Sequence, residues 1–348
     1  MNNKQNIRRL SKDALSRILL EKGEKKFRVN QLHEWIWEKN AASFQDMSNL
    51  PKSMREMLEQ GFYIHHAKVT DKRISEDKTA KMAFTFEDGQ IAEGVLIPAK
   101  DRITACISSQ SGCSLNCKFC ATAALGLNRN LYPDEMTDQI VEINKIAEEK
   151  YGQPLSNIVL MGMGEPLMNY DNVVKTLRWL TTEEGAGISN RRITLSTVGI
   201  ADKIRQLADD NVKVNLALSL HVANNEKRNK IIPVNKKFPL QALIDALTYF
   251  YQKTNLRLTI EYILFKGFND TLEDASELAD FCKHFPVKVN IIEYNPVKGS
   301  SLQKADYEDM NRFVEFLRDK INIIVNVRKS RGKDIDAACG QLANKLIC

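Results

Sequence analysis

The chain reads as an α/β protein: a large parallel-sheet core over residues 101–348, preceded by a small helical unit over residues 1–61 and a short β-meander over residues 62–100. Two observations predict this. Apolar strands and amphipathic helices alternate from about residue 101 to the end, and alternating β and α elements imply a parallel sheet with helices outside. At 348 residues, with 43% hydrophobic and 27% charged side chains, the chain can bury such a core and has the composition of a folded globular protein.

In the N-terminal unit, amphipathic periodicity marks helices at Asp13–Glu21 and Val29–Trp37, and Pro51 suits the first position of a third. Its basic residues Arg8, Arg9, Lys22, Lys25, Lys26 and Arg28, with Trp35 and Trp37, form either a nucleic-acid face or a small core with a solvated surface. Next, Met82–Phe86 and Ile91–Ile97 alternate as strands around a turn at Glu87-Asp88-Gly89. Core strands are expected at Ile103–Ser108, Ile158–Met163, Ile193–Thr197, Val212–Leu220, Leu258–Leu264, Val289–Tyr294 and Ile323–Val327. Core helices are expected at Asp134–Lys150, Asn172–Leu180, Ala201–Ala208, Leu240–Gln252, Leu272–Lys283 and Asp306–Lys320. An open or partial (β/α) barrel and a doubly wound sheet both fit, and in either one ligands collect at the carboxyl ends of the strands.

No apolar run approaches the ~18 residues of a membrane span, and the start of the chain lacks the apolar core of a secretory signal. A cytoplasmic protein is expected. A net charge of +6 and a pI of about 8.8 favour polyanionic partners without requiring them.

Three of the seven cysteines stand as Cys113-Ser-Leu-Asn-Cys117-Lys-Phe-Cys120, in the loop after the first expected core strand. In a reducing compartment such spacing reads as metal binding before it reads as disulfides. Three thiolates on a four-iron cluster leave one iron open, and an open position distinguishes a catalytic centre from a closed structural one. A zinc site completed by Cys106 is the alternative. The glycine-rich turn Gly162-Met163-Gly164-Glu165-Pro166 directly follows the second core strand. Glycines there let a ligand approach the backbone, and the carboxylate can accept from an ammonium group.

Three further residues suit chemistry. Period-2 alternation puts Glu93 on one face with Ile91, Val95 and Ile97, and a carboxylate on an apolar face is a candidate proton acceptor. Cys339, followed by Gly340 in a loop after the last strand, is a candidate nucleophile, and Cys106 lies on the first core strand. Cys282 in a helix and Cys348 at the terminus read as incidental thiols.

The cysteine spacing, with Phe119 before the last thiol, resembles the signature of the radical S-adenosylmethionine superfamily. Over nearly its whole length, from Phe27-Arg-Val-Asn-Gln-Leu to Ala338-Cys339-Gly340-Gln341-Leu342, the chain resembles the RlmN branch of the RlmN/Cfr RNA methyltransferases. Four motifs carry the resemblance: Ser108-Ser109-Gln110-Ser111-Gly112-Cys113, Asn128-Arg129-Asn130-Leu131, Met161-Gly162-Met163-Gly164-Glu165-Pro166-Leu167 and Arg331-Gly332-Lys333-Asp334-Ile335-Asp336-Ala337-Ala338-Cys339-Gly340. Ser111 departs from the valine more usual in the family.

This resemblance implies a partial (β/α) barrel that methylates carbon 2 of an adenine in 23S rRNA and tRNA. It implies a [4Fe-4S] cluster on Cys113, Cys117 and Cys120, and two S-adenosylmethionine molecules per turnover. S-adenosylmethionine would contact Gly164, Glu165, Ser196, Ser219, Leu220, His221 and Asn295, all at carboxyl ends of expected strands. Cys339 would carry a methyl group, Cys106 would release the product through a transient disulfide, and Glu93 would accept a proton. Flavodoxin or ferredoxin would supply electrons to a monomeric enzyme, and the basic stretch Arg328–Lys333 would meet the RNA backbone, whose target base must be unstacked. The Cfr branch, acting at carbon 8, shares these residues; the accessory domain and Pro166 favour RlmN. A non-enzymatic iron–sulfur or zinc RNA-binding protein would need neither Cys106, Cys339 nor Glu93.

Overall fold

The computed structural model describes residues 4–344 apart from 184 and 321–323. Its N-terminal unit runs β1 (Gln5–Asn6), α1 (Lys12–Glu21), α2 (Phe27–Trp37), α3 (Lys52–Gly61) and β2 (Phe62–Tyr63), with β1 and β2 paired in parallel. The Ser11 side chain accepts from the Ala14 N–H and caps α1. Pro51 keeps an extended ψ of 146° and sits one residue before α3, so it precedes the helix instead of beginning it. Leu15 and Leu19, Leu32 and Ile36, and Met54 and Leu58 close an apolar core belonging to this unit alone. Trp37 packs against Trp179 of the main body at 6.1 Å between ring centroids. Trp35 donates to Asn49 at 2.5 Å beneath the Lys39 ammonium. Both indoles are engaged within the protein.

Arg8 ties this unit to the core. It is 3% exposed and pairs with Asp138 at 2.7 Å, while also donating to the His65 carbonyl at 2.9 Å. Burial pushes the Asp138 carboxyl up, but bonds from His66 and Arg8 outweigh it and hold the group below its ordinary value.

The strands β3 (Lys68–Ile74), β4 (Ala80–Thr85) and β5 (Ile91–Ala99) form an antiparallel meander that continues into β6 (Arg102–Cys106). A small hairpin then leaves the sheet, made of β7 (Gln110–Gly112) and β8 (Leu127–Asn130) with α4 (Ala121–Ala124) between them. The core follows as α5 (Pro133–Tyr151), β9 (Asn157–Leu160), α6 (Tyr170–Thr181), β10 (Ile193–Thr197), α7 (Ala201–Asp209) and β11 (Asn215–Ser219). It closes with α8 (Asn225–Ile231), α9 (Leu240–Thr254), β12 (Leu258–Leu264), α10 (Leu272–Cys282), β13 (Val287–Glu293), α11 (Tyr307–Lys320) and β14 (Ile324–Arg328).

The sheet order is β14-β13-β12-β11-β10-β9-β6-β5-β4-β3, with β6 and β9 to β14 all parallel. A doubly wound sheet reverses its strand order at a switch point. This order never reverses. Each right-handed crossover onto the next strand sets its helix on the same face, so the sheet curls around the other. Because β3 and β14 end the order unpaired with each other, the result is an open, partial (β/α) barrel.

Several strands stop short of the apolar runs that predict them. β6 ends at Cys106, β9 at Leu160 and β11 at Ser219, while Ile107, Met163 and Leu220 beyond them stay buried. The runs overshoot because the first loop residues beyond these strands still pack into the main hydrophobic core and are apolar for that reason. Ile323 of the last expected strand, and Cys348, lie outside the described residues. Among the described residues no helix is long and apolar enough to cross a membrane.

Removing one partner of a buried pair leaves a buried charge uncompensated. Arg8→Met is therefore expected to cost about 3 kcal/mol, read from urea unfolding by tryptophan fluorescence; a loss below about 1 kcal/mol would mean that the contact does not hold the two parts together.

Candidate active site

At the hairpin after β6, Gly112 adopts a φ of 80°, and a Cβ there would lie 1.9 Å from the Gly126 carbonyl oxygen. Only glycine fits. The buried Ser111 hydroxyl donates to the Ile91 carbonyl at 2.7 Å, so the serine found in place of valine ties the hairpin to β5. The loop that follows is held at four points. The Cys113 N–H donates to Gly126 O at 2.7 Å, Lys118 N–H to Ile231 O at 3.0 Å, Cys120 N–H to Cys117 O at 3.2 Å, and Ala121 N–H to Gly340 O at 2.7 Å. Asn116 turns the loop with a φ of 53°. All three thiols line a cavity of about 240 Å³ at the carboxyl rim of the sheet. Burial chiefly, and the neighbouring thiols in addition, raise Cys113 to about 11 and Cys117 higher still.

The second wall of the cavity is formed by the ends of β9, β10 and β11, with Gly164, Glu165, Ser196, Ser219 and His221 among its lining. Gly164 has a φ of 96°, and a Cβ there would meet the Gln110 side chain at 2.5 Å. The Glu165 carboxylate accepts from Leu167 N–H at 3.0 Å and Val198 N–H at 2.8 Å. Burial outweighs those bonds and raises it to about 7. The hydroxyls of Ser196 and Ser219 are 3.2 Å apart. His221, at a φ of 57°, accepts from Ile263 N–H through Nδ1 at 3.1 Å, with the Phe119 ring edge-on at 4.7 Å. Burial, helped by the Arg228 charge, lowers it to about 3, so the ring is neutral. Leu220 is fully buried and stands outside the lining, and Asn295 reaches the site by donating to the Cys339 carbonyl at 3.4 Å.

Cys106 and Cys339 line the same cavity. Cys106 is buried and pushed up to about 12, by burial first and then by Cys339. Cys339 is exposed as a residue, but its thiol meets the crowded wall. Loss of hydration and then the Glu261 carboxylate raise it to about 11, against the pull of Arg328. Among the described residues every cysteine is a free thiol, and Cys282 is buried within α10.

Glu93 departs from its expected setting. It is fully buried but does not line the cavity, and the face it occupies is not simply apolar. Lys81 on β4, itself 1% exposed, stands 3.5 Å from its Oε1, and the Ala343 N–H donates to its Oε2 at 2.9 Å. Lys81 also donates to the Asp336 carbonyl at 3.2 Å. Sequence reading missed this lysine. Its one signal is a lone cation inside the apolar strand Ala80–Thr85, diagonal to Glu93 in the observed register.

Residues 107–282 match the radical SAM superfamily model, and residues 5–64 match the model for the ribosomal RNA large subunit methyltransferase N-terminal domain. A protein of Christiangramia forsetii described as a probable dual-specificity RNA methyltransferase RlmN is 52% identical, covering 98% of this chain and 97% of its own. The chain belongs to the RlmN family of radical SAM RNA methyltransferases. A Flavobacterium johnsoniae relative of the same description is also 52% identical, with 98% of both chains covered. The crystal structure of a radical SAM methyltransferase from Sphaerobacter thermophilus superposes with a TM-score of 0.90, at 38% identity over 97% of this chain and 99% of that one.

Membership implies a [4Fe-4S] cluster and S-adenosylmethionine, and the donor set fits them. Three thiols of one loop reach the cavity, and a four-iron cube takes one thiolate per iron, which leaves its fourth iron open to a ligand from the opposite wall. The raised Cys113 and Cys117 thiols are also what binding to iron relieves, because coordination deprotonates a thiol outright.

Gly164→Ala should leave the cluster intact and weaken S-adenosylmethionine binding more than tenfold, as measured by equilibrium dialysis with the iron content and visible spectrum as controls. Unchanged binding would remove Gly164 from the cofactor wall.

Proposed function

We propose that this enzyme methylates carbon 2 of adenine, at adenosine 2503 of 23S rRNA and adenosine 37 of certain tRNAs, through a methyl group carried on Cys339. The observation that carries the reading is the sharing of one cavity by Cys106 and Cys339 with the three cysteines of the loop. Carbon 2 is electrophilic and bears no acidic hydrogen, so direct transfer of a methyl cation to it is unfavourable and a radical route is required.

Cys339 takes a methyl group from one S-adenosylmethionine by displacement at the sulfonium, and its own proton leaves. When bound, the cluster supplies the electron that cleaves a second S-adenosylmethionine to a 5′-deoxyadenosyl radical. The 5′-deoxyadenosyl radical takes one hydrogen from the methyl on Cys339 and becomes 5′-deoxyadenosine, and the carbon radical left on Cys339 adds to carbon 2 and joins enzyme to RNA. The adduct then gives up its unpaired electron to the oxidised cluster, and its carbon 2 hydrogen leaves as a proton. The Cys106 thiolate attacks the Cys339 sulfur and forms a disulfide with it. The methylene carbon leaves with the electron pair and takes up a proton to become the methyl group of the freed base, and electrons from the external donor return the disulfide to two thiols. Glu93 accepts the proton lost from the base; its Oε2 is held by the Ala343 N–H, and its Oε1, 3.5 Å from the Lys81 ammonium, is the oxygen that takes it.

The remaining residues bind and orient. Gly164, Glu165, Ser196, Ser219, Leu220, His221 and Asn295 hold S-adenosylmethionine, with Glu165 on its ammonium group. The N-terminal unit, residues 1–61, contacts RNA, as do the cations Lys329 and Arg331 beside the cavity. Within that basic stretch Arg331 also pairs with Asp77 at 3.9 Å, Arg328 with Glu261 at 3.4 Å, and Lys333 with Glu293. A reduced flavodoxin or ferredoxin delivers the electron.

Incubating reconstituted protein anaerobically with reductant, S-adenosylmethionine and unmodified 23S rRNA, then analysing nucleosides by mass spectrometry, tests this. The expected product is 2-methyladenosine with the wild type and none with Cys339→Ala. Appearance of 8-methyladenosine would move the enzyme to carbon 8 chemistry, and absence of product despite an intact cluster would refute the proposal.

A further inference from the structure

Arg228, on α8, is 0% exposed and among the largest wholly buried side chains of the protein. Its guanidinium directs every nitrogen at a neutral acceptor. Nε donates to Leu220 O at 3.0 Å, Nη1 to Asn235 Oδ1 at 2.7 Å, and Nη2 to Val198 O at 2.7 Å and Ser219 O at 3.4 Å. No Asp or Glu among the described residues forms a salt bridge with it.

Burying an unpaired cation is costly, and the cost falls if another charge nearby answers it. The placement shows where that charge would be. Val198 and Ser219, whose carbonyls Arg228 holds, line the cavity, and Ile231 at the end of α8 accepts the Lys118 N–H from inside the cysteine loop. Arg228 therefore lies between the strand ends and the loop Cys113–Cys120, where Cys117, once a metal has deprotonated it, is the negative charge it meets. A carbonyl clamp alone would not require a cation, since a neutral amide donates to carbonyls without the charge penalty.

We propose that Arg228 is the built-in counterion of the iron–sulfur cluster and makes that cluster easier to reduce. The inference rests on reading Cys113, Cys117 and Cys120 as cluster ligands. Three thiolates make a four-iron cluster net negative, and the incoming electron makes it more so. Net charge near the cluster is one of the levers on its reduction potential, and a fixed cation in a dry setting favours the reduced form.

The test is a mediated redox titration of the reconstituted full chain without S-adenosylmethionine, followed by the electron paramagnetic resonance of the reduced cluster. Arg228→Gln should lower the ratio of reduced to oxidised cluster at least tenfold at the wild-type midpoint, a shift of 59 mV or more to negative potential for one electron. Arg228→Lys, which keeps the charge, should stay within about threefold of the wild type by the same conversion. Asn235→Asp sets a carboxylate against Nη1 and cancels the charge in place, so it should shift the potential in the same direction even if Arg228→Gln does not fold. Unchanged potentials in the loaded neutralising variants would overturn the proposal, as would an Arg228→Lys shift as large as that of Arg228→Gln, which would assign the effect to the hydrogen bonds. Absence of a four-iron signal in the wild type would overturn the cysteine reading itself, and the counterion with it.

Discussion

The segment Gly332–Ala343, which carries Cys339, has no strand or long helix to fix it, and polar clamps from the β-meander and the cysteine loop hold it over the cavity. Ser75 donates to the Asp334 carboxylate at 2.5 Å, and the Gly332 N–H donates to Asp77 at 3.0 Å. Further along, Thr122 donates to the Leu342 carbonyl at 2.6 Å, and the Gly340 carbonyl accepts from Ala121 beside Cys120. Backbone that is buried without a ladder needs such partners, because each unmet polar group costs about 1–3 kcal/mol. The clamps fix this loop against the turn before β4 and against α4.

This arrangement gives the antiparallel meander a role that the barrel alone does not supply. β3 to β5 lengthen the sheet beyond β6, and the turn before β4 supplies Ser75 and Asp77 to the clamp. Lys81 reaches both the Asp336 carbonyl and Glu93. Burial lowers this lysine, and the Glu93 carboxylate works against that shift. One buried ion pair thus joins the candidate proton acceptor to the loop that carries the candidate nucleophile.

Much of this was legible in the sequence, for physical reasons. β10 and β12 fall where their apolar runs predict them, since strands buried on both faces have little other reading. The cysteine loop is legible because thiols three and four residues apart serve few purposes except holding a cation. Other features depend on register and burial, which composition does not carry. The β7–β8 hairpin is short and polar, and α8 reads as a solvated run of Asn, Lys and Arg although it buries Arg228. The contact between Lys81 and Glu93 is visible only once β4 and β5 are aligned. Most residues expected at the carboxyl rim do line the cavity, because that rim is where a parallel sheet opens, whereas Lys81 and Arg228 were missed because they lie behind it.

The central claim is that Cys106 and Cys339 work on one covalent intermediate across a shared cavity. It is tested most directly with Cys106→Ala, incubated anaerobically with S-adenosylmethionine, reductant and RNA, and then run on a denaturing gel. The account predicts that protein and RNA migrate together as a covalent adduct, and that Cys339→Ala in the same background abolishes it. Free RNA bearing the finished methyl group from Cys106→Ala would contradict the account.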